Sequence, residues 1–551
     1  MGVKVKVLAV VGCMFLVTDL CAGQGRSGIR IQSVAHGTTP PLSSLAPMPS
    51  GWEPGMPPIV HPKPKRPGKG GGGGGTGGGS WSDPDLQTSA LSVHYTTAQV
   101  FQGQGFTGAV PPDTNLSVGI DPNGNTQIVQ VVNTSFAIYN TSGSQLAGGG
   151  DLGLTLFSNL PSTANCNANM DGGDPIVLWD QLDGRWLISQ LAYNSDFSQN
   201  DFCLAISDSA DATGSYEVYD IPFGNSLPDY PKIGIWGDGI YFSANMFQMK
   251  VNQITGSVRS TFLGAQACSF LRPSWSTAPA SIRFSCSGTG NTAIYNILPA
   301  DLDGANTAPS GSDYYLQFVN NLSSTSGNEL ALYQFQSGQL TALGNLSVGS
   351  FHDACGGGTC IPQLGTAQQL DSLGDRLMYR LSYRNYGTTQ AMVVNHAVQV
   401  SSTSTQTGIR WYQLCSQSAT VPFYVCKEST FSPDTTTYRW MGSIAQDRKG
   451  NLGLGYSTSS GSMYPSVAVT GLENGVDSGM ETEVVLYNGL NFQDTYSRWG
   501  DYSSVAVDPK DNCTFWYTTE YSTPTNVLGI YNFFWGTVIG SFNFPNCTPN
   551  P

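Results

Sequence analysis

Carboxylates set beside glycines and aromatic residues are the first candidates for chemistry in this chain: Asp113, Asp171, Asp174, Asp229, Asp501 and Glu520. Two carboxylates about 5 Å or about 6.5–9.5 Å apart could cleave a glycosidic bond, one as acid and the other as nucleophile or base. Sequence does not set that distance, and Asp is also a turn former whose side chain bonds its own backbone. Asp171-Gly-Gly-Asp174 and Asp301-Leu-Asp303-Gly304 place hard oxygens in tight loops. Asp171, Asp174, Asp301 and Asp303 are therefore candidate calcium ligands, although neither stretch matches an EF-hand loop. No other cofactor is required. Histidine is scarce, with only His94, His352 and His396 after residue 91. There is no HExxH and no GxSxG, which argues against a zincin and a nucleophile-elbow hydrolase.

Arg-Trp occurs four times, at Arg185-Trp186, Arg410-Trp411, Arg439-Trp440 and Arg498-Trp499. Neighbours on a strand face opposite sides. Each Trp can thus fill a core while its Arg bonds an Asp or the backbone, and repetition favours this packing role. The other reading sets some of these Arg at a mouth, where a planar guanidinium binds carboxylates bidentately. The binding candidates outside obvious core are Asp113, Asn115, Asp174, Tyr230, Lys232, Arg380, Arg439, Arg498, Asp501, Tyr502 and Glu520. No catalytic role is assigned to any of them.

The elements that must position these residues repeat. An apolar run, a turn rich in Asp, Gly and Asn, and an aromatic strand-like run recur from Gly119, Leu178, Ile235, Leu370, Ala445 and Val507. Such a unit is a hairpin signal. Anchored on Asp121, Asp180, Asp238, Asp371, Asp447 and Asp508, the steps are 59, 58, 133, 76 and 61 residues. The step of 133 is near two periods, so a degenerate copy is expected within 285–335, giving seven units. Seven sheet units closed around an axis make an all-β fold, a single large seven-bladed β-propeller. A sandwich pair or a solenoid is the alternative.

Residues 1–22 read as a secretory signal peptide: Lys4 and Lys6, an apolar run from Val7 to Val17, then small residues near Ala22. The run is too short for a membrane span. Cys21 follows a poor lipobox. Residues 23–91 are Pro- and Gly-rich and read as a disordered linker. Residues 92–551 are expected to form the propeller. Positions 81–551 carry 36 acidic and 16 basic residues. That excess repels phosphate backbones, so nucleic acid is a poor partner. The ten cysteines after the leader suit disulfides in a secreted chain. Nearest-neighbour pairing gives 166–203, 268–286, 355–360, 415–426 and 513–547.

Several stretches resemble a group of large secreted bacterial propeller-like proteins without an assigned activity. They include PPDTNLSVG from Pro111, DPIVLWDQLDGRW from Asp174 and DYPKIGIWGDGIYFSAN from Asp229. The longest are RWMGSIAQDRKGNLGLGYS from Arg439 and RWGDYSSVAVDPKDNCTFWYTTEY from Arg498. This resemblance implies the fold and secretion rather than a reaction. A looser resemblance is to sialidase-type propellers, but their SxDxGxTW boxes are not matched: Asp121-Pro-Asn-Gly has its Gly one place late. No sialidase catalytic residue is carried over.

The functional expectation is a secreted monomer that recognises an extracellular polysaccharide or other glycan through loops at one face. Aromatic walls with a few polar anchors are the usual means. A glycoside hydrolase or polysaccharide lyase on the same fold, or an adhesion module retained at the cell surface or in the periplasm, are the alternatives. An extracellular protein is the other partner class, and no transmembrane segment is expected. The irregular interval between Asp238 and Asp371 is the first place to look for a site.

Overall fold

The structure, a computed structural model, describes residues 28–47, 56, 58–60 and 80–547. Short stretches at 168–170, 253–254, 273–278, 305–307, 310, 321–327, 419–421 and 525–533 are excepted. The predicted signal peptide, Cys21 and the Gly-rich tract of 70–79 lie outside the described residues. No helix among the described residues is long and apolar enough to cross a membrane.

Most of the described strands fall into seven antiparallel units in chain order, the fourth and fifth joined through a parallel pairing of their first strands. The seven first strands are Asn115–Ile120, Asp171–Asp180, Ser226–Ile235, Leu298–Asp303, Met378–Asn385, Tyr438–Gln446 and Ser504–Val507. Each of these strands packs against the next, and the seventh packs against the first. They are the inner strands of a closed ring, and the fold is a β-propeller; the units are called blades 1 to 7 below. Closure comes from Thr96–Gly105, which pairs antiparallel with Trp535–Asn543 as the outermost strand of blade 7. A strand from before blade 1 thus completes the last blade.

Turn chemistry builds the inner hairpins. Asp121 Oδ1 accepts from the backbone N–H of Asn123 and Asn125, both at 2.8 Å. Asp447 Oδ1 repeats this with Lys449 and Asn451 at 2.7 and 3.0 Å. A glycine in the left-handed region completes each turn, Gly124 at φ 81° and Gly450 at φ 80°, as only a residue without Cβ does freely. The degenerate copy is the hairpin after Leu298–Asp303, within the expected interval. The Asp371 anchor is corrected. It ends a separate hairpin, Thr359–Gln363 with Thr366–Asp371, that precedes the inner strand of blade 5. The inner turn of blade 5 instead follows Asn385, whose side chain accepts from Gly387 N–H at 2.8 Å.

The core lies between blades. Val129, Val131, Phe136 and Ile138 of blade 1 join Val177, Trp186 and Ile188 of blade 2. Val467 and Val469 of blade 6 join Val505, Phe515 and Tyr517 of blade 7. Glycine lets blades approach closely: a Cβ at Gly453 would sit 2.6 Å from the Phe515 ring. The four tryptophans of the Arg-Trp pairs are 0–1 % exposed, as the packing reading expects. The five disulfides are those expected from nearest-neighbour pairing. The bond 513–547 lies within blade 7.

Parts of the stretch read as a linker are strand. Ile29–Gln32 pairs with the outer strand of blade 3, and Ala35–Thr38 with that of blade 2. Leu86–Gln87 runs parallel to Tyr424–Phe431 of blade 5. Arg410 holds this last segment. Its guanidinium, fully buried, bonds Asp83 at 2.7 Å, Asp85 at 2.8 Å and Glu428 at 3.1 Å. Removing one partner of a buried ion pair strands the other charge. Arg410→Ala is expected to destabilise the fold by about 3–5 kcal/mol, read as a lower denaturant midpoint. A loss below about 1 kcal/mol, the range of a surface ion pair, would show that the anchoring is not energetic.

Candidate functional site

The inner strands begin irregularly, at the same height around the axis. Blades 2, 3, 5 and 6 each carry a register shift there, at Gly173/Ile176, Asp229/Lys232, Met378/Ser382 and Trp440/Ser443. Asp113, Asp174, Tyr230, Asn296 and Met441 sit at φ values of 47–55°. A bulge re-aims side chains, and left-handed backbone in non-glycine residues costs of order 1–3 kcal/mol each. Here the bulges bring charged side chains of successive blades onto the axis.

A hydrogen-bonded circuit joins them. Asp113 accepts from the Asp501 backbone N–H at 2.5 Å and from the Asn133 amide at 2.6 Å. Asn133 Oδ1 accepts from Asp174 N–H at 2.8 Å, and Asp174 from Tyr230 N–H at 3.2 Å. Tyr230 OH donates to the Asp501 carbonyl at 3.4 Å, and Tyr502 OH to that of Pro175 at 3.2 Å. Lys232 Nζ sits 3.5 Å from the Tyr230 ring centre and 4.0 Å from that of Tyr502. Arg498 pairs with Asp501 at 2.6 Å. Glu520 accepts from Gly500 N–H.

The mouth is covered. Residues 354–377, inserted before blade 5, place Ala354, Ile361, Leu370 and Leu373 in one apolar cluster with Tyr230, Tyr379, Trp440, Met441, Trp499 and Tyr502. Asp371 N–H donates to the Ser497 carbonyl at 2.8 Å. Arg376, bonded to Asp375 at 2.9 Å, lies 4.7 Å from the Tyr230 ring centre.

Burial sets the protonation of this cluster. It pushes the Asp174 and Asp229 carboxyls up to about 7, with neighbouring carboxylates adding to the rise. It holds Asp113 and Glu520 well above the carboxylate range. It pushes the Lys232 ammonium down to about 7 against the attraction of the surrounding Asp residues. Asp229 differs from its neighbours in being only partly buried. With Arg376 it lines a small recess of about 10 Å³, room for a single water, walled by Phe247, Phe262 and Tyr295 and edged by Asn245 and Asn296. The two asparagines bond each other through their side-chain amides at 2.5 Å.

Of the sequence candidates, Asp113, Asp174, Tyr230, Lys232, Arg498, Asp501, Tyr502 and Glu520 come together here. Asn115 stands beside them and ties blade 1 to blade 2 through Val177 N–H at 3.0 Å. Arg380 lies further along the axis. It bonds Asp301 at 2.7 Å and Asp303 at 2.5 Å, so these two calcium candidates face a guanidinium. They line an axial cavity of about 30 Å³. Arg439 is elsewhere, paired with Asp434 and Glu483 at 2.6 Å each. The Asp171 side chain lies outside the described residues. Sequence reasoning left out Asn133, Asn245, Tyr295, Asn296, Arg376 and Tyr379, and kept Asp229 only among the carboxylates. One signal was available: Asp-Tyr opens two inner strands, as Asp229-Tyr230 and Asp501-Tyr502. All the new cavity residues except Arg376 lie in the irregular interval 238–371.

No protein-family model and no curated protein matches the chain. Among solved structures it is similar to a Dyadobacter fermentans protein of unknown function, at 10 % identity, covering 83 % of this chain and 99 % of that one, TM-score 0.33. It is similar to the GH93 α-L-arabinofuranosidase of Fusarium graminearum, at 9 % identity over 83 % and 97 %, TM-score 0.32. It is also similar to Bacillus subtilis levansucrase, at 9 % identity over 69 % and 87 %, TM-score 0.32. The propeller assignment rests on the strand topology.

The protonation pattern has a pH signature. A carboxyl raised from 3.8 to about 7 keeps in the native state a proton that the unfolded chain releases. Its contribution to stability therefore falls as pH rises through that window. An ammonium lowered from 10.5 to about 7 reverses the sign, so stability recovers above about 7. Lys232→Met is expected to remove the recovery on the alkaline side, and Asp229→Asn to flatten the fall on the acid side. Denaturant midpoints measured across pH check both. An unchanged alkaline limb in Lys232→Met would show that Lys232 does not titrate there.

Proposed function

We propose that the protein binds an extracellular glycan at the edge of the cover over the axial mouth, where Asp229 and Phe262 are partly exposed. The observation that carries this reading is the make-up of the recess there: Phe247, Phe262 and Tyr295 facing Asn245, Asn296, Asp229 and Arg376. Aromatic walls stack on sugar rings, while a few polar groups fix hydroxyls. The five disulfides support an oxidising, extracellular setting.

A second reading, glycoside hydrolysis at the same place, is favoured by one observation. The Asp229 carboxyl stands at about 7 beside other carboxylates, where a general acid is effective. Asp229 would protonate the leaving oxygen, and a neighbouring Asp would serve as base or nucleophile.

The full chain, screened against neutral and acidic polysaccharides for binding and for reducing-end release, tests both. Phe262→Ala is expected to weaken binding of the captured polymer roughly tenfold. Asp229→Asn is expected to lower any turnover by about 100-fold or more while binding persists. Binding without release removes the hydrolase reading. Capture that Phe262→Ala leaves intact removes the cavity as the site.

A further inference from the structure

The second site lies far from the axis, where the chain passes from blade 5 to the ring-closing strand. Residues 91–95 run along blade 6 just before Thr96–Gly105. Leu91 N–H donates to the Met480 carbonyl at 3.2 Å, and Thr482 N–H to that of Leu91 at 2.8 Å. The loop after strand Met463–Leu472 brings three acids, Glu473, Asp477 and Glu481, against His94. From His94 Nδ1, Glu473 Oε2 is 3.3 Å away, Glu481 Oε1 3.4 Å and Asp477 Oδ1 3.7 Å. The ligand atoms of His94, Asp477 and Glu481 all lie within 4.8 Å of one another.

An acidic cluster alone does not make a site, but Glu481 adds a separate observation. Its side chain is fully buried. One oxygen accepts from the backbone N–H of His94 at 2.5 Å and of Tyr95 at 3.3 Å. That pair of bonds fixes the carboxylate and turns Oε1 toward the imidazole. Oε1 itself is buried and makes no hydrogen bond, with His94 Nδ1 facing it at 3.4 Å. A buried carboxylate oxygen that is not hydrogen-bonded is costly, and a cation between these groups supplies what is missing. Ligands at about 2.0–2.1 Å in a tetrahedron stand about 3.3 Å apart, close to the 3.4 and 3.7 Å from His94 to Glu481 and Asp477. Imidazole together with carboxylates suits zinc better than calcium, which takes six to eight oxygens. His94 is 39 % exposed, so an ion has a way in.

We propose that His94, Asp477 and Glu481, with the fourth position left to solvent, bind a zinc-class divalent cation that fastens the N-terminal segment to blade 6 ahead of ring closure. The competing arrangement is a protonated His94 paired with the acids and no metal.

The full chain, freed of any affinity tag, is stripped with chelator, dialysed and titrated with Zn2+, Co2+, Ca2+ and Mg2+. The site predicts about one zinc per chain. It predicts a Tm raised by about 3–6 °C at large excess over Kd, and the intense visible absorption of four-coordinate Co2+. Asp477→Asn and His94→Gln are expected to lose all three while keeping the Tm of the metal-free parent. Asp477→Asn retains an acceptor for the Glu473 N–H, bonded at 2.7 Å, so the loop has its support. No zinc uptake by the parent, zinc retained by Asp477→Asn, or a Tm raised by Ca2+ but not Zn2+ would each overturn the proposal.

Discussion

Closure of the ring is the constraint on which the rest of the structure depends. Seven inner strands pack side by side around one axis, and each blade buries its faces only because the next blade is present. Radial repetition protects sheet edges only when the last blade meets the first. Here that meeting is made by backbone hydrogen bonds between Thr96–Gly105 and Trp535–Asn543. Tyr95, immediately before the closing strand, packs on Phe542 and Phe544 and donates its hydroxyl to the Thr482 carbonyl at 2.8 Å, with that of Val469 at 3.1 Å. The two ends of the chain therefore share one core, and the N-terminal segment is part of the ring.

Closure also decides where charge can go. Packing between blades is apolar and close, with glycine against aromatic ring at Gly453 and Phe515. At the start of the inner strands that pattern gives way to Asp113, Asp174, Lys232, Arg498, Asp501 and Glu520, all under 10 % exposed. Taking so many ionisable groups from water costs more than their mutual attraction returns unless hydrogen bonds satisfy what remains. The circuit through Asn133, Tyr230 and the Asp501 backbone does part of this. Burial also favours the protonated forms of Asp113, Asp174 and Glu520, which lowers the charge to be compensated. Strained residues clustered at the same height mark the place where the ring departs from regular packing.

Legibility in the sequence followed the range of the interactions. Hairpin turns are local: an Asp caps the backbone within four residues, so most of the repeat could be counted from the chain. Disulfides between neighbours were legible because each joins cysteines at most 37 residues apart, less than one repeat. The Arg-Trp pairs could be read as packing because strand alternation is local too. Asp371 misled because its stretch ends in a turn of similar composition, though that turn closes an inserted hairpin. The edge strands Ile29–Gln32 and Ala35–Thr38 have only four residues each and little alternation. Their partners lie about 180 to 250 residues away. Nothing near them in sequence announces the pairing. The Asp229 cavity draws on Asn245, Phe262, Asn296 and Arg376, which meet only when blade 3, the start of blade 4 and the insertion are assembled.

The insertion at 354–377 connects these observations. A propeller axis is open at both ends unless something fills it. At the far end the cavity bounded by Asp301, Asp303 and Arg380 remains. At the near end the insertion covers the charged circuit with Ile361, Leu370 and Leu373, and its Arg376 reaches the Tyr230 ring. That cover removes the circuit from water, and this is the physical cause of its raised carboxyls and lowered ammonium. Asp229 lies at the edge of the cover, where the cavity opens between the insertion and blade 3. Of the two carboxyls raised to about 7, Asp174 is buried and Asp229 is the partly exposed one. Access and protonation at Asp229 have a single structural origin, the position at which the insertion stops.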